Sequence, residues 1–385
     1  MRFVICNPAL SFLSGALLAL SGAACADSLG VADTTVREAA RQVMQEHEIP
    51  GMAIAVTVRG EQHFYAFGVA SKQTRKAIDR DTLFELGSIS KTLTATLATY
   101  AAEHGKLSLN DSPSRYLPTL AGTALEPVTL IHLATHTAGG FPLQLPDAIQ
   151  TEDQLNDYFS AWKPHHRPGT QRTYANPSIG LLGRAAAASL GLSFPNALQK
   201  HLLPALGLRS TYLDVPPVQL GRYAQGYNRE GEPVRLNPAL LAEEAYGLKS
   251  SSQDMLHFIE AQLGLADTEP AVSRALAATR VGYYRVGSMT QDLVWEQYAY
   301  PAELDVLQAG NGSKMVLEAH PAEIIDPPAQ PQADVWINKT GSTNGFGAYL
   351  AFIPARQSGV VILANRPYPN EQRVALAYRI LQALD

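Results

Sequence analysis

Residues 52–69 read MAIAVTVRGEQHFYAFGV and decide the fold prediction. Two runs of strand-forming residues, Met52–Val58 and His63–Val69, flank an Arg-Gly-Glu segment with the composition of a tight turn. The pattern predicts a β-hairpin. Because an isolated two-stranded hairpin is only marginally stable in water, the rest of the chain must supply further strands or a covering helix.

Strand-like segments recur near the C-terminus and are followed by a helix with an apolar repeat. The strands are Val335–Asn338, Gly347–Ile353 and Gly359–Leu363, and the helix is Val374–Leu384. One antiparallel sheet that joins both ends of the chain is the simplest way to complete the hairpin. Another helix candidate, Val36–His47, precedes the hairpin, so we expect the terminal helices to flank this sheet.

The middle of the chain has a different pattern, with Pro- and Gly-rich loops between helical segments. The helical segments are Leu93–His104, Asp153–Trp162, Gly180–Leu190 and Ser252–Gln262. We therefore predict an α/β (α+β) fold, in which a sheet-and-helix part spans about 27–87 and 300–385 and a mostly helical region, about 88–299, is inserted. A cleft between the two parts is the expected ligand site.

The composition excludes several classes of protein. Of the 385 residues, 46% are hydrophobic and 17% are charged, which is an ordinary globular balance and not that of a disordered or fibrous chain. Lys and Arg number 30 against 35 Asp and Glu, giving a formal net charge of −5. This charge excludes a strongly basic nucleic-acid binder.

Residues 1–26 have the pattern of a cleaved secretory signal peptide. Arg2 is followed by an apolar run from Phe12 to Leu20 and by a small-residue cleavage site, Ala24-Cys25-Ala26. A transmembrane anchor is the alternative, but the run is short for a bilayer span. A lipoprotein attached through Cys25 is another. Export predicts the periplasm of a Gram-negative cell, or secretion, with no stable membrane anchor.

The cysteines and histidines do not indicate a disulfide, a thiol nucleophile or a metal site. Cys6 and Cys25 both lie in the leader, so the mature chain has neither a disulfide framework nor a thiol nucleophile. The histidines do not form an H-x-H or H-E-x-x-H pattern, and we interpret His132 and His136 as structural. We expect no metal, no cofactor and nothing that requires more than a monomer.

The first motif, Ser88-Ile89-Ser90-Lys91, opens a predicted helix. Positions i and i+3 share a helix face, so the Ser88 hydroxyl and the Lys91 amine can meet. A serine hydroxyl needs a base to become a nucleophile, and a lysine serves as one when burial or a nearby cation lowers its pKa. The pattern predicts nucleophilic catalysis, although an ordinary capped helix with no catalytic role could have the same residues.

Two further motifs follow in order. Tyr174-Ala175-Asn176 lies on a predicted loop, where a tyrosine near lysines can act as a general acid or base. Lys339-Thr340-Gly341-Ser342 ends a predicted strand, where the glycine lets a ligand approach the backbone closely. Single matches to the first two motifs arise by chance in a chain of this composition, whereas the third is rarer. Their joint occurrence in this order favours a single active site.

With these three motifs, the chain resembles the serine β-lactamases and penicillin-binding proteins, for which S-x-x-K and K-T-G are signatures. The Y-A-N second motif resembles class C β-lactamases, the cephalosporinases. The resemblance extends from about Val36 to the C-terminus and rests on four further stretches: LIHLATHTAGGFPLQ (130–144), AEEAYGLKS (242–250), KTGSTNGFGAYLAFIPA (339–355) and LANRPYPNEQRV (363–374). It implies a β-lactamase/transpeptidase-like fold for residues 27–385 and hydrolysis of cephalosporin-type β-lactams through a serine acyl-enzyme, giving antibiotic resistance.

The resemblance implies four catalytic positions. Ser88 looks like the acylated nucleophile, and Lys91 with Tyr174 looks like the base system for acylation. Which of these two is the base is left open. Tyr174, with Lys91 and Lys339 near it, looks like the group that activates the deacylating water.

The resemblance also implies positions that bind the substrate. The backbone N–H groups of Ser88 and Ser342 resemble an oxyanion hole, and Tyr246 matches an aromatic residue of the pocket. The other matches concern the amide of the β-lactam side chain and the substrate carboxylate: Gln144 and Asn176, and Thr340, Asn370 and Arg373, respectively.

Several points stay open. Glu296 either assists Lys339 or is a surface residue, and the loop over residues 216–244 is expected to border the cleft. A D-alanyl-D-alanine carboxypeptidase or a carboxylesterase on the same scaffold is the main alternative, because all of them acylate with the same three motifs. A sensor that stays acylated is a third hypothesis.

Overall fold

The computed structural model describes Met1 and residues 33–384. Apart from Met1, the predicted signal peptide therefore lies outside the described residues. Strands are numbered here in chain order. They are β1 (Gly51–Val58), β2 (Glu61–Gly68), β3 (Leu83–Glu85), β4 (Gln171–Arg172), β5 (Gly226–Tyr227), β6 (Pro233–Val234), β7 (Lys249–Ser251), β8 (Gly282–Val286), β9 (Met289–Gln291), β10 (Glu296–Ala299), β11 (His320–Pro321), β12 (Glu323–Ala329), β13 (Val335–Ser342), β14 (Gly347–Ile353) and β15 (Ser358–Ala364).

The helices are numbered in the same way. The first described helix, α1, runs through residues 33–46. The others are α2 (Ser90–Glu103), α3 (Leu130–Ala134), α4 (Glu152–Ala161), α5 (Asn176–Ser189), α6 (Phe194–Ala197), α7 (Leu203–Ala205), α8 (Ala242–Ala245), α9 (Ser252–Gln262), α10 (Pro270–Ala278), α11 (Leu304–Asn311), α12 (Ser313–Leu317) and α13 (Asn370–Gln382). In the described part of the chain, no helix is long and apolar enough to cross a membrane.

A nine-stranded antiparallel sheet joins the two ends of the chain, with the strand order β12-β8-β9-β10-β13-β14-β15-β1-β2. The hairpin pairs Gly51 with Gly68, and β1 also pairs with β15, where Met52 lies opposite Ala364. The predicted α/β (α+β) fold, with an antiparallel sheet built from both ends, is confirmed.

Both faces of this sheet are covered, which explains the continuous apolar run in β1. Met52, Ile54 and Val56 pack in one cluster with α1 and α13. Ala53 and Ala55 point the other way, into the core that contains α2 and α9. The sheet is therefore sandwiched between the terminal helices and the helical region.

The sheet also includes strands that the sequence analysis missed. β8, β9 and β10 lie within residues 282–299, which were expected to belong to the helical part, so the sheet-and-helix part begins earlier than residue 300. β12 contains Pro327 and Pro328, which argue against a strand from sequence alone. It lies at the edge of the sheet, where proline is tolerated because one side of the strand needs no partner.

Candidate active site

Ser88 lies on a 3₁₀ turn, Gly87–Ile89, at the N-terminal end of α2. Gly87 has a positive φ of 54°, and a Cβ at this position would overlap the backbone of Ser342. A Cβ on Gly341 would overlap the carbonyl oxygen of Leu86. The end of β13 therefore lies directly against the turn that carries Ser88, and this contact requires glycine on both sides.

Lys91 is fully buried on the first turn of α2, directly behind Ser88. Its Nζ donates hydrogen bonds to Ser88 Oγ (2.9 Å) and to the carbonyl oxygen of Ala245 (2.8 Å). Burial lowers the pKa of Lys91 to about 8, with a further lowering from Lys339 and an opposing effect of Tyr174. The amine can therefore lose its proton near neutral pH while it contacts the serine hydroxyl.

Tyr174 comes from the loop before α5, and its ring lies beside two buried lysines. The Nζ atoms of Lys91 and Lys339 lie 5.3 and 5.0 Å from the centre of its ring. Burial raises the pKa of Tyr174, but the two lysines and the hydrogen bond with Ser88 outweigh it, so the pKa falls to about 8. The phenol of Tyr174 can therefore lose its proton at a lower pH than an ordinary tyrosine.

Lys339 lies on β13 and belongs to a buried network of charges. Its Nζ is 3.8 Å from Glu296 Oε1, which also accepts a hydrogen bond from Arg172 Nη2 at 3.1 Å. Asn338 donates to the other Glu296 oxygen. The alternative of a surface role for Glu296 is therefore wrong: its side chain is 5% exposed and its carboxylate balances the two cations.

His136 was interpreted from the sequence as structural, yet it contacts the site. It is buried, and its ring centre lies 4.4 Å from that of Tyr174. Its Nδ1 accepts a hydrogen bond from the Ala175 N–H (3.2 Å) and its carbonyl accepts one from the Thr173 N–H (2.9 Å). Burial, together with nearby cations including Lys91, lowers the pKa of His136 well below its usual value, so the ring is neutral. Its φ of 59°, at the end of α3, could not be read from sequence.

The residues matched to the substrate amide form a connected pair at one end of the cleft. Asn176 Nδ2 donates to Gln144 Oε1 at 2.9 Å, and the Asn176 N–H donates to the carbonyl of Leu143. Asn176 Oδ1 is buried and has no hydrogen-bond partner in the described residues. Tyr246 follows α8 on the same cleft and is half-buried.

The residues matched to the substrate carboxylate lie around the end of β13. Arg373 is buried, and its Nη1 donates to the Gly341 carbonyl (2.7 Å) and to Ser342 Oγ (2.8 Å). Burial lowers the pKa of Arg373 to about 10. Asn370 Nδ2 donates to the carbonyl of Asn311. Arg373 therefore fixes the strand end as well as supplying charge beneath it.

These groups surround an open cleft of about 2010 Å³. All the predicted site residues line it except Lys91 and Lys339, which lie behind Ser88 and Tyr174. The loop over residues 228–244 lines it as well, which agrees with the predicted border of the cleft. The described residues contain no group of His, Cys, Asp and Glu side chains that could hold a metal ion.

Comparisons with known proteins agree with this geometry. The Beta-lactamase family model matches residues 36–385. A β-lactamase of Lysobacter lactamgenus is 49% identical over 350 residues, which cover 91% of both chains. A solved β-lactamase/D-alanine carboxypeptidase of Pseudomonas syringae is 58% identical with a TM-score of 0.90, covering 91% of this chain and 98% of that one.

A class C β-lactamase solved in complex with cefoxitin is 46% identical, also with a TM-score of 0.90, and covers 93% of this chain and 99% of that one. The match thus includes the sheet, the helical region and the cleft between them. The chain belongs to the beta-lactamase family, and it has the fold of the class C serine enzymes.

Proposed function

We propose that this class C serine β-lactamase opens the β-lactam ring through an acyl-enzyme on Ser88. The observation that carries the assignment is the hydrogen bond from Lys91 Nζ to Ser88 Oγ, beside a Tyr174 whose pKa is lowered to about 8. When Ser88 attacks the lactam carbonyl, its proton passes to Lys91 or to Tyr174. Because the two groups are neighbours and each shifts the pKa of the other, they act as one coupled pair.

The developing oxyanion would be held by the N–H groups of Ser88 and Ser342, because Gly87, next to Ser88, packs against the Ser342 backbone at the end of β13. The pair then returns the proton to the ring nitrogen, and the C–N bond breaks. For deacylation, Tyr174 takes a proton from the water that attacks the acyl carbonyl, with Lys91 and Lys339 stabilising its charged form. The ester bond to Ser88 Oγ then breaks, and the proton returns to that oxygen. This scheme uses side chains and backbone amides of the chain itself.

Recognition of the substrate follows from the two ends of the cleft. Gln144 and Asn176 would bind the side-chain amide of the β-lactam, with the unpaired Asn176 Oδ1 as a hydrogen-bond acceptor. Tyr246 would pack against the substrate. Thr340 and Asn370 would meet the carboxylate of a cephalosporin near the end of β13, with Arg373 as the buried charge beneath them.

Export completes the proposal. Residues 1–26 would act as a signal peptide that is removed after Ala26, leaving a periplasmic monomer of residues 27–385 that confers resistance to cephalosporins. We also propose that the sheet-and-helix part and the helical part of the chain act as one domain around the cleft. Mass spectrometry of a periplasmic extract should find Asp27 as the first residue.

A second candidate function is D-alanyl-D-alanine carboxypeptidase activity. A relative with 58% identity carries both names, β-lactamase and D-alanine carboxypeptidase. Both reactions acylate the serine. They differ in whether water releases the β-lactam acyl group rapidly, which is the step assigned here to Tyr174.

The test is turnover of a chromogenic cephalosporin by residues 27–385, beside Ser88→Ala. We expect many turnovers per enzyme and none with the variant. A single stoichiometric burst that stalls would contradict the assignment, and release of D-alanine from a D-alanyl-D-alanine peptide by the same preparation would identify the carboxypeptidase instead.

A further inference from the structure

Glu85 is a buried carboxylate at the end of β3, three residues before Ser88. It accepts three hydrogen bonds from three different parts of the chain. Thr343 Oγ1 donates to Oε2 at 2.6 Å, while Tyr223 Oη (2.5 Å) and the Leu236 N–H (2.8 Å) donate to Oε1. A carboxylate with this many donors holds a single orientation, because each oxygen is already engaged.

The bond between Glu85 and Thr343 joins the two sides of the proposed oxyanion hole. One side is the turn with Ser88, which directly follows β3, and the other is Ser342, which directly precedes Thr343. Thr343 also shapes the connection between β13 and β14, because its Oγ1 accepts from the Gly345 N–H (3.4 Å) and its N–H donates to the Phe346 carbonyl.

Within the described residues, no other side-chain hydrogen bond links these two short segments, 85–88 and 342–343. The glycine contacts at positions 87 and 341 limit how closely the segments can approach, but contacts of this kind do not prevent them from moving apart. A hydrogen bond to a carboxylate resists separation and is about twice as strong as one between neutral groups. This bond therefore opposes separation of the two segments, while the glycine contacts limit how closely they approach.

We propose that Glu85 and Thr343 are positioning residues that fix the separation of the two oxyanion-hole N–H groups. The inference rests on the proposed function, since it assumes that Ser88 and Ser342 supply those groups. Loosening the bond should weaken contacts made to the charged oxygen of the transition state more than contacts made to the bound substrate.

The experiment compares three single variants of the exported chain, residues 27–385, with the enzyme concentration taken from active-site titration. Thr343→Val removes the hydroxyl and keeps the shape of the side chain, whereas Thr343→Ser keeps the hydroxyl and removes the methyl group. Tyr223→Phe is the matched control, because it removes a hydrogen bond to the other oxygen of the same carboxylate without touching β13. The readouts are kcat and KM for a chromogenic cephalosporin, and the inhibition constant of a boronic acid that forms a tetrahedral adduct on serine.

We expect Thr343→Val to lower kcat about tenfold and to change KM less than about twofold. The inhibition constant of the boronic acid should rise about tenfold as well. Thr343→Ser and Tyr223→Phe should stay within about threefold of the wild type.

Two results would overturn the inference while leaving the proposed function intact. One is a kcat of Thr343→Val that equals the wild-type value when it is calculated per titrated active site. The other is an equal loss in Thr343→Val and Tyr223→Phe, which would indicate general destabilisation through Glu85. If Thr343→Val does not fold, the comparison of Thr343→Ser with Thr343→Ala gives the same test. Failure of the proposed function would instead appear as absence of turnover in the wild type.

Discussion

Lys91 on the helical side of the cleft and Lys339 on the sheet side are both buried beside the Tyr174 ring, but their surroundings differ. Lys91 donates to a hydroxyl and a carbonyl, and no ion pair joins it to a carboxylate within the described chain. Lys339 lies 3.8 Å from the carboxylate of Glu296. Burial without a carboxylate partner lowers the pKa of Lys91 to about 8, so the helical side of the cleft is suited to proton transfer. The sheet side instead pairs its lysine with a carboxylate.

The largest expected effect is at Lys91. Lys91→Met should lower kcat/KM about 10³-fold, because it removes the proposed proton acceptor that contacts Ser88 Oγ. Stability should hold or rise, since a buried ammonium without an ion-pair partner is costly to fold. Steady-state kinetics and urea unfolding of the same preparation check both expectations. A loss of less than tenfold would mean that Lys91 and Lys339 have the same role.

Substitution of Lys339 should lower kcat/KM less than substitution of Lys91 does, and it should also change the pH dependence of kcat/KM. Because Lys339 lowers the pKa of both Tyr174 and Lys91, Lys339→Met should raise both values and move the acid limb of kcat/KM to higher pH than in the wild type. The fall in kcat/KM at pH 7 should be about 10²-fold. Lys339→Arg is the control: it keeps the charge and should keep the limb. Equal profiles for the two variants would contradict a role through charge.

Glu296→Gln should move the acid limb of kcat/KM to lower pH, which is opposite to the shift expected for Lys339→Met. The carboxylate raises the pKa of Tyr174, so its loss should lower that pKa and extend activity toward acidic pH. The folded protein should lose about 3 kcal/mol, because Arg172 and Lys339 are left as buried cations without their partner. A pH profile and a denaturant titration measure the two effects. A limb shifted upward would show that Glu296 acts on Tyr174 in some other way.

The smallest expected effect is at His136. His136→Phe keeps a ring against Tyr174 but leaves the Ala175 N–H without its acceptor, so kcat/KM should fall about fivefold. The pH limb should not move, because the imidazole is already neutral. His132→Phe is the matched control, since it removes a ring nitrogen that accepts from the Thr129 N–H away from Tyr174, and it should leave kcat/KM unchanged. A shifted limb in His136→Phe, or equal losses in the two variants, would contradict this account.

The same contrast explains what the sequence could predict. Ser88 and Lys91 are three residues apart on one turn, so local spacing alone brings them together. Glu296 could not be assigned that way, because its partners Arg172 and Lys339 lie far from it in the sequence and meet it only in the folded chain. The terminal hairpin was predicted because its apolar residues are contiguous, whereas β12 was missed because its prolines are acceptable only at a sheet edge.

The residue roles came from resemblance, and the structure adds contacts that no motif encodes. Gln144 and Asn176 lie far apart in the chain but share a hydrogen bond, which depends on the loop before α5. His136 has a left-handed backbone conformation that brings its ring onto Tyr174, and a single histidine in sequence gives no sign of this. Long-range packing therefore decides the electrostatics of the site, while local patterns decide its nucleophile.

The most direct test is an NMR titration of the lysine side chains, with the Lys91 resonance assigned by its absence in Lys91→Arg. The account predicts that this resonance titrates with a pKa of about 8 in the folded wild type. It also predicts that the midpoint rises in Lys339→Met, because the neighbouring cation is gone. A Lys91 resonance that titrates above pH 10 would contradict the claim that the helical side of the cleft holds a proton-transfer lysine.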